Sequence, residues 1–196
     1  ANITGTDYTV AQLKAINVAT TGAIVLATSA SEALSGDATD LGFALAGTIN
    51  YTGNVTVTDT SYTVAELKAI NAATVGSITL NNAGVALSGT VADIKAAFAG
   101  TVTEHTGTLE ISDANTTDIT ATDITDINGT NTGTITVTNT IDINGSGSEV
   151  QAAFAAIDTN TGNATANITG TNYTIAQLKA INAATTGAIV LADASG

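Results

Sequence analysis

Residues 1–27 read ANITGTDYTVAQLKAINVATTGAIVLA, and residues 166–192 read ANITGTNYTIAQLKAINAATTGAIVLA. Aligned from Ala1 and Ala166, the two stretches differ only at Asp7/Asn172, Val10/Ile175 and Val18/Ala183. A third relative, YTVAELKAINAATVGSITL, runs from Tyr62 to Leu80. If Tyr8 to Tyr62 counts as one step, Tyr62 to Tyr173 spans close to two more. Self-similarity at a fixed step marks a chain built by stacking one structural unit. The step halves on closer reading, because TVAELKAINAATV at 63–75 aligns with TVADIKAAFAGTV at 90–102. In that register the whole chain divides into seven coils, with helices expected to start near 9, 37, 63, 90, 120, 146 and 174.

Each of those starts carries the same local chemistry. A Ser, Thr or Asp is followed three residues later by an acid or Gln: Thr9 and Gln12, Asp37 and Asp40, Thr63 and Glu66, Thr90 and Asp93, Thr120 and Asp123, Ser146 and Glu149, Thr174 and Gln177. The first side chain can accept from a free helical N–H and the second can reach back, which is the capping box. Apolar residues then follow at helical spacing, as Val64, Leu67 and Ile70, or Val91, Ile94 and Phe98. Asn71 and Gly100 suit left-handed residues that end these helices.

Between the helices come short alternating segments such as GNVTVTD at 53–59, GTLEIS at 107–112 and GTITVT at 133–138. In the last, Ile135 and Val137 face one way while Thr134, Thr136 and Thr138 face the other. Each coil thus reads as a strand, a connection and a short capped helix. One coil cannot bury its own apolar face, so neighbours must stack. The expected architecture is α/β, a single repeat solenoid over 1–196 with parallel stacked strands. Strands stack about 4.8 Å apart whereas helices need about 8–10 Å. Helices all on one side would bend the body, and helices on alternating sides would leave it straighter. The alternation of coils ending INAAT with coils ending AAFAGT leans towards the second arrangement, and both stay open at this point.

Composition narrows the function. Seven aromatics, no Trp and no Met leave packing to Ala, Val, Ile and Leu. Thr supplies roughly a fifth of the residues, which suits a half-exposed pleated surface. Four lysines, no arginine and 17 acids give a net charge of −13. That balance argues against nucleic-acid partners, and equally against anionic membrane surfaces. Without Cys, disulfides and thiolate metal sites are excluded. The chain shows no signal peptide and no apolar span of membrane-crossing length, so it reads as a segment of a longer repeat protein or a filament subunit.

The phrases AQLKAINAATTGAIVL, VALSGTVADIKAAFAGTV and YTGNVTVTD resemble tandem repeats of very long secreted or cell-surface proteins of marine bacteria, notably cyanobacteria. The resemblance covers most of the chain and is weakest over 103–160. It implies an extracellular location and neighbouring calcium-binding repeats, and it carries no catalytic residues.

Few side chains stand out for chemistry. His105, beside Glu104, reads as a solvated loop residue, since a catalytic base needs an orienting partner. Asp and Asn gather over 113–145, and DINGSG at 142–147 matches the first half of a calcium loop without its closing Glu. The candidate calcium ligands are therefore Asp142, Asn144, Asp126 and Asn128, with Asx-turns as the metal-free reading of the same residues. Lys14, Lys68, Lys95 and Lys179 share one repeat position, so stacking sets them in a column beside the acids Asp40, Glu66, Asp93, Asp123 and Glu149. No enzyme is expected. The leading function is a structural segment of a fibre, sheath or surface layer, its partners being copies of itself stacked end to end or adjacent repeats of the same chain. The alternative is an adhesin that recognises glycan, mineral or ice through a Thr/Asp-rich face.

Overall fold

The computed structural model describes residues 1–27, 32–49 and 51–192. Among the described residues there are seven helices: α1 Val10–Ala19, α2 Ala38–Leu45, α3 Val64–Ala73, α4 Val91–Ala97, α5 Ala121–Asn128, α6 Gly147–Ala156 and α7 Ile175–Ala184. Each begins directly after the side chain expected to cap it. Thr9, Thr63, Ser146 and Thr174 form reciprocal capping boxes with the residue three further on. Asp37, Thr90 and Thr120 accept from the backbone N–H of Asp40, Asp93 and Asp123. Caps of this kind satisfy donors that the first turn would otherwise leave orphaned.

Fourteen short strands accompany the helices among the described residues. They are β1 Asn2–Ile3, β2 Ile24–Leu26, β3 Leu34–Gly36, β4 Thr48–Ile49, β5 Val55–Val57, β6 Ile78–Leu80 and β7 Leu87–Gly89, then β8 Leu109–Ile111, β9 Asp118–Thr120, β10 Ile135–Val137, β11 Asp142–Gly145, β12 Thr159–Asn160, β13 Thr165–Ile168 and β14 Ile189–Leu191. Two strands, not one, separate consecutive helices. The extra ones (LSG at 34–36 and 87–89, DIT at 118–120) run straight into helix caps and are too short to show an alternating pattern. Every pairing between these strands is parallel.

The chain divides into two compact units. One holds residues 1–85 with 96–104, and the other holds 86–95 with 105–196. The first carries the sheets β1-β2-β4 and β3-β5-β6; the second carries β12-β10-β8-β7 and β14-β13-β11-β9. Within the first unit α1 packs on α2 and α2 on α3, and within the second α5 packs on α6 and α6 on α7. Consecutive helices thus lie side by side within each unit, against the alternating arrangement that the two coil types suggested. Paired strands lie closer along the chain than successive helix starts do: Val55 opposes Leu34 and Ile78, whereas α2, α3 and α4 start at 38, 64 and 91. Each ladder therefore drifts past the helices. It begins on strands that precede a helix, such as β3 and β9, and ends on strands that follow one, such as β6 and β14.

The core is a set of in-register apolar columns. Val55 and Ile78, Val57 and Leu80, Leu109 and Ile135, and Ile111 and Val137 are cross-strand partners, all buried. Leu67, Ile70, Ile94, Ile124 and Ile127 are buried from the helices. Small and β-branched side chains suit this use, since parallel layers leave room for thin regular packing and not for bulky plugs.

Just after the helices, one backbone presses on the next. The Thr74 hydroxyl donates to Gly53 O at 2.7 Å and accepts from Gly76 N at 2.9 Å. Thr185 does the same with Ala164 O and Gly187 N. A Cβ on Gly76 would lie 2.1 Å from Gly53 O, and one on Gly187 would lie 2.3 Å from Asn163 O. Glycine is required there by close approach. Gly42, inside α2, has nothing within 4 Å of its would-be Cβ. Gly76→Ala is expected to destabilise the protein by about 2–3 kcal/mol through backbone displacement, whereas Gly42→Ala stabilises it by about 0.5–1 kcal/mol. Urea unfolding of the two variants measures the contrast.

Candidate functional site

His105 is fully buried, not a solvated loop residue. The segment around it joins the ladder: His105 N–H donates to Thr130 O, Thr132 N–H donates to His105 O, and His105 bridges Asn131 in parallel. That pairing turns the ring inward. Its Nδ1 lies 2.9 Å from Asn131 Oδ1. Asn131 is itself clamped, donating from Nδ2 to Gly133 O at 2.9 Å and accepting at Oδ1 from Gly133 N at 3.1 Å. Both bonds orient the amide, so the imidazole hydrogen sits on Nδ1. In this coil Asn131 occupies the place that Thr74 and Thr185 hold elsewhere. The recurring Thr/Asn-x-Gly at 74–76, 131–133 and 185–187 was the signal for this clamp. It was visible in the sequence, but it does not distinguish a clamp from an ordinary turn.

The calcium candidates fall on two elements. Asp142 and Asn144 lie on β11, extended between β9 and β13, so DINGSG forms a strand entering a helix cap and not an ion-binding loop. Burial of Ile143 between them sets the pleat and puts both polar side chains on the opposite face. Asn144 Nδ2 donates to Asp118 Oδ1 at 3.0 Å. Asp126 and Asn128 lie on α5 two residues apart, a spacing that does not share a helix face. Asp126 is paired with Lys95 at 2.8 Å. Among the described residues no group of three or more His, Cys, Asp or Glu is placed to hold a metal ion.

The lysine and acid columns do meet. Lys14 pairs with Asp40, and Lys95 pairs with Asp123 as well as Asp126. Lys14 also lies 5.8 Å from the centre of the Phe43 ring. The Lys95 ammonium, by hydrogen bond and charge, holds Asp123 below the usual carboxylate range, and Lys95 is raised in turn. Glu66 is lowered chiefly by the Thr39 hydroxyl, which donates to it at 2.6 Å, and Glu149 by the backbone N–H of Ser146. The side chains of the lysine pairs are all about a third exposed or more, so each pair contributes a few tenths of a kcal/mol.

Asn71 does not end its helix. It lies inside α3, whose C-cap is the extended Thr74, and its Nδ2 donates to Ala97 O at 2.9 Å and Ala99 O at 2.7 Å. Gly100 does adopt the left-handed conformation, with φ of 72°. Tyr62 donates to Asn82 O at 2.6 Å, and burial pushes its hydroxyl up to about 12. Outward hydroxyls also align across strands: Thr108 and Thr134 are 3.0 Å apart, and Thr136 is in register with Glu110 and Thr159. No helix among the described residues is long and apolar enough to cross a membrane.

No protein-family model matches this chain, and comparison with curated proteins finds no match.

Asn131→Ala is expected to cost about 1–3 kcal/mol, because it strips partners from the buried His105 and from Gly133, measured by urea unfolding. A carboxylate lowered in the folded state contributes its full stabilisation above its unfolded value, near 4, and loses it as pH falls through the lower folded value. Acid titration by circular dichroism should therefore show stability falling below about pH 4. Asp123→Asn should flatten part of that fall without changing stability near neutrality by more than about 1 kcal/mol.

Proposed function

We propose that this chain is a non-catalytic structural segment of an extracellular repeat protein, its coils stacked as an α/β solenoid within a fibre, sheath or surface layer. The observation that carries the reading is where the recurring polar side chains go. Thr74, Asn71, Lys14, Lys95 and Thr185 each bind a backbone or side-chain group of an adjacent coil. Chemistry that recurs along the chain is thereby used in holding neighbours, which is how a repeat array gains stability. The resemblance to secreted bacterial repeats supports the extracellular placement, and the net charge of −13 suits solubility there.

A second reading, an adhesin, is favoured by the outward hydroxyl rows at Thr108, Thr134 and Thr136. A glycan array and an ice-affinity assay separate the two, since the structural reading expects binding in neither.

The direct test uses the near-identity of the stretches that begin at Ala1 and Ala166. Positions 1–165 joined ahead of a complete chain should give, by electron microscopy with calcium and with chelator, particles of constant width and about twice the long dimension. Two beads on a string would sink the solenoid reading.

A further inference from the structure

The near-identity of 1–27 and 166–192 lets the first coil show what the last one lacks. In the first coil, Leu13 and Ile24 are fully buried and Leu26 is 2 % exposed. Their equivalents in the last coil are Leu178, Ile189 and Leu191; none is buried, and Leu191 is 37 % exposed. The third relative agrees with the first, since Leu67, Ile78 and Leu80 are all buried.

Two polar groups on this face are equally specific. Lys14 pairs with Asp40, the third residue of α2, while its equivalent Lys179 is exposed and has no ion pair among the described residues. Asn17 Nδ2 donates to Phe43 O at 2.8 Å, and Asn71 donates to Ala97 O and Ala99 O. Asn182, at the same position, is exposed and makes no hydrogen bond among the described residues. An apolar patch, a cation and an amide donor thus stand in a fixed arrangement whose complement is seen elsewhere in the protein.

That complement is one kind of coil. The helices that receive Asn17 and Asn71 belong to coils whose ends read ALAGT at 44–48 and AFAGT at 97–101, closing on left-handed Gly47 and Gly100. The first coil of another copy is of the opposite kind, ending INVAT at 16–20, and has Gln12 where α2 has Asp40. The Gln12 Oε1 is already taken up by the Thr9 N–H at 2.8 Å.

We infer that the outward face formed by Leu178, Lys179, Asn182, Ile189 and Leu191 is a docking face for one coil of the ALAGT/AFAGT kind, with a carboxylate third in its helix. The first coil of a second copy does not complement it. This rests on the proposed stacking of coils and names the partner that the stack takes at this face. A coil of the 1–27 kind is accordingly a weak partner for this face, because it sets a lysine against a committed amide and an Asn donor against the wrong helix end.

The test fuses positions 28–62 directly after Ala192, with a parallel fusion that places 1–27 there. Hydrogen exchange at Ile189–Leu191 should slow at least about tenfold in the first fusion and less than about twofold in the second. Lys179→Gln should weaken the first effect severalfold while leaving exchange in the unfused chain unchanged. Equal protection by both fusions, or none by 28–62 although that segment is itself protected, overturns the inference. Concentration-dependent protection of the same amides in the unfused chain, abolished by Leu191→Lys, also overturns it, because the occupant is then a second copy. Protection of these amides alongside a beaded appearance of the tandem chain would refute the solenoid reading and leave the face intact.

Discussion

Parallel strands about 4.8 Å apart bring one coil's backbone against the next just after α3, α5 and α7, and that approach governs much else. At Gly76, Gly133 and Gly187 a carbonyl of the preceding coil stands 2.0 to 2.3 Å from where a Cβ would be. The flanking Thr74, Asn131 and Thr185 use the same closeness, since a short side chain there can bond both its own turn and the coil below. Once that contact is set, the strand register follows, and with it the apolar columns through Val55, Ile78, Leu109 and Ile135.

The helices answer to a looser requirement. They need more room than the strands, so their contacts are made by small residues and by long side chains that reach outward. Lys14 reaches Asp40 and Phe43, Lys95 reaches two acids, and Asn71 reaches the end of the next helix. Individually these exposed pairs add little. Together they tie one coil to the next within each unit. The Asn of a coil ending INVAT or INAAT donates to carbonyls at the end of the next helix, at Phe43, Ala97 and Ala99, whereas lysines stand on both kinds of coil, as Lys14 and Lys95 do. Whatever the alternation in the sequence encodes, it does not place consecutive helices on opposite sides within a unit.

The capping boxes were legible because capping is local: donor and acceptor lie three residues apart, and nothing distant alters the geometry. The strand faces at 133–138 were legible for the same reason, as alternation is a property of the pleat. The orientation of His105 was not. Its neighbours Glu104 and Thr106 are both exposed and polar, and only pairing with residues 130–132 turns the ring inside. Asn71 misled likewise. Asn is common at helix ends, but here the acceptors that fix its side chain belong to another coil. DINGSG resembled half of a calcium loop until burial of Ile143 made it a strand.

The sequence by itself determined the repeat, its seven helix starts and the apolar face of each element, because these depend on spacings of two to four residues. Tertiary structure alone decided the second strand of each coil, the side-by-side helices within a unit, the burial of His105 and the use of Asp126 and Asn144 in bonds between coils. Those outcomes depend on which residues of neighbouring coils come opposite one another. That register arises from the closest backbone contact between them, where the partners stand a whole coil apart along the chain, as Val55 does from Leu34 and Ile135 from Leu109.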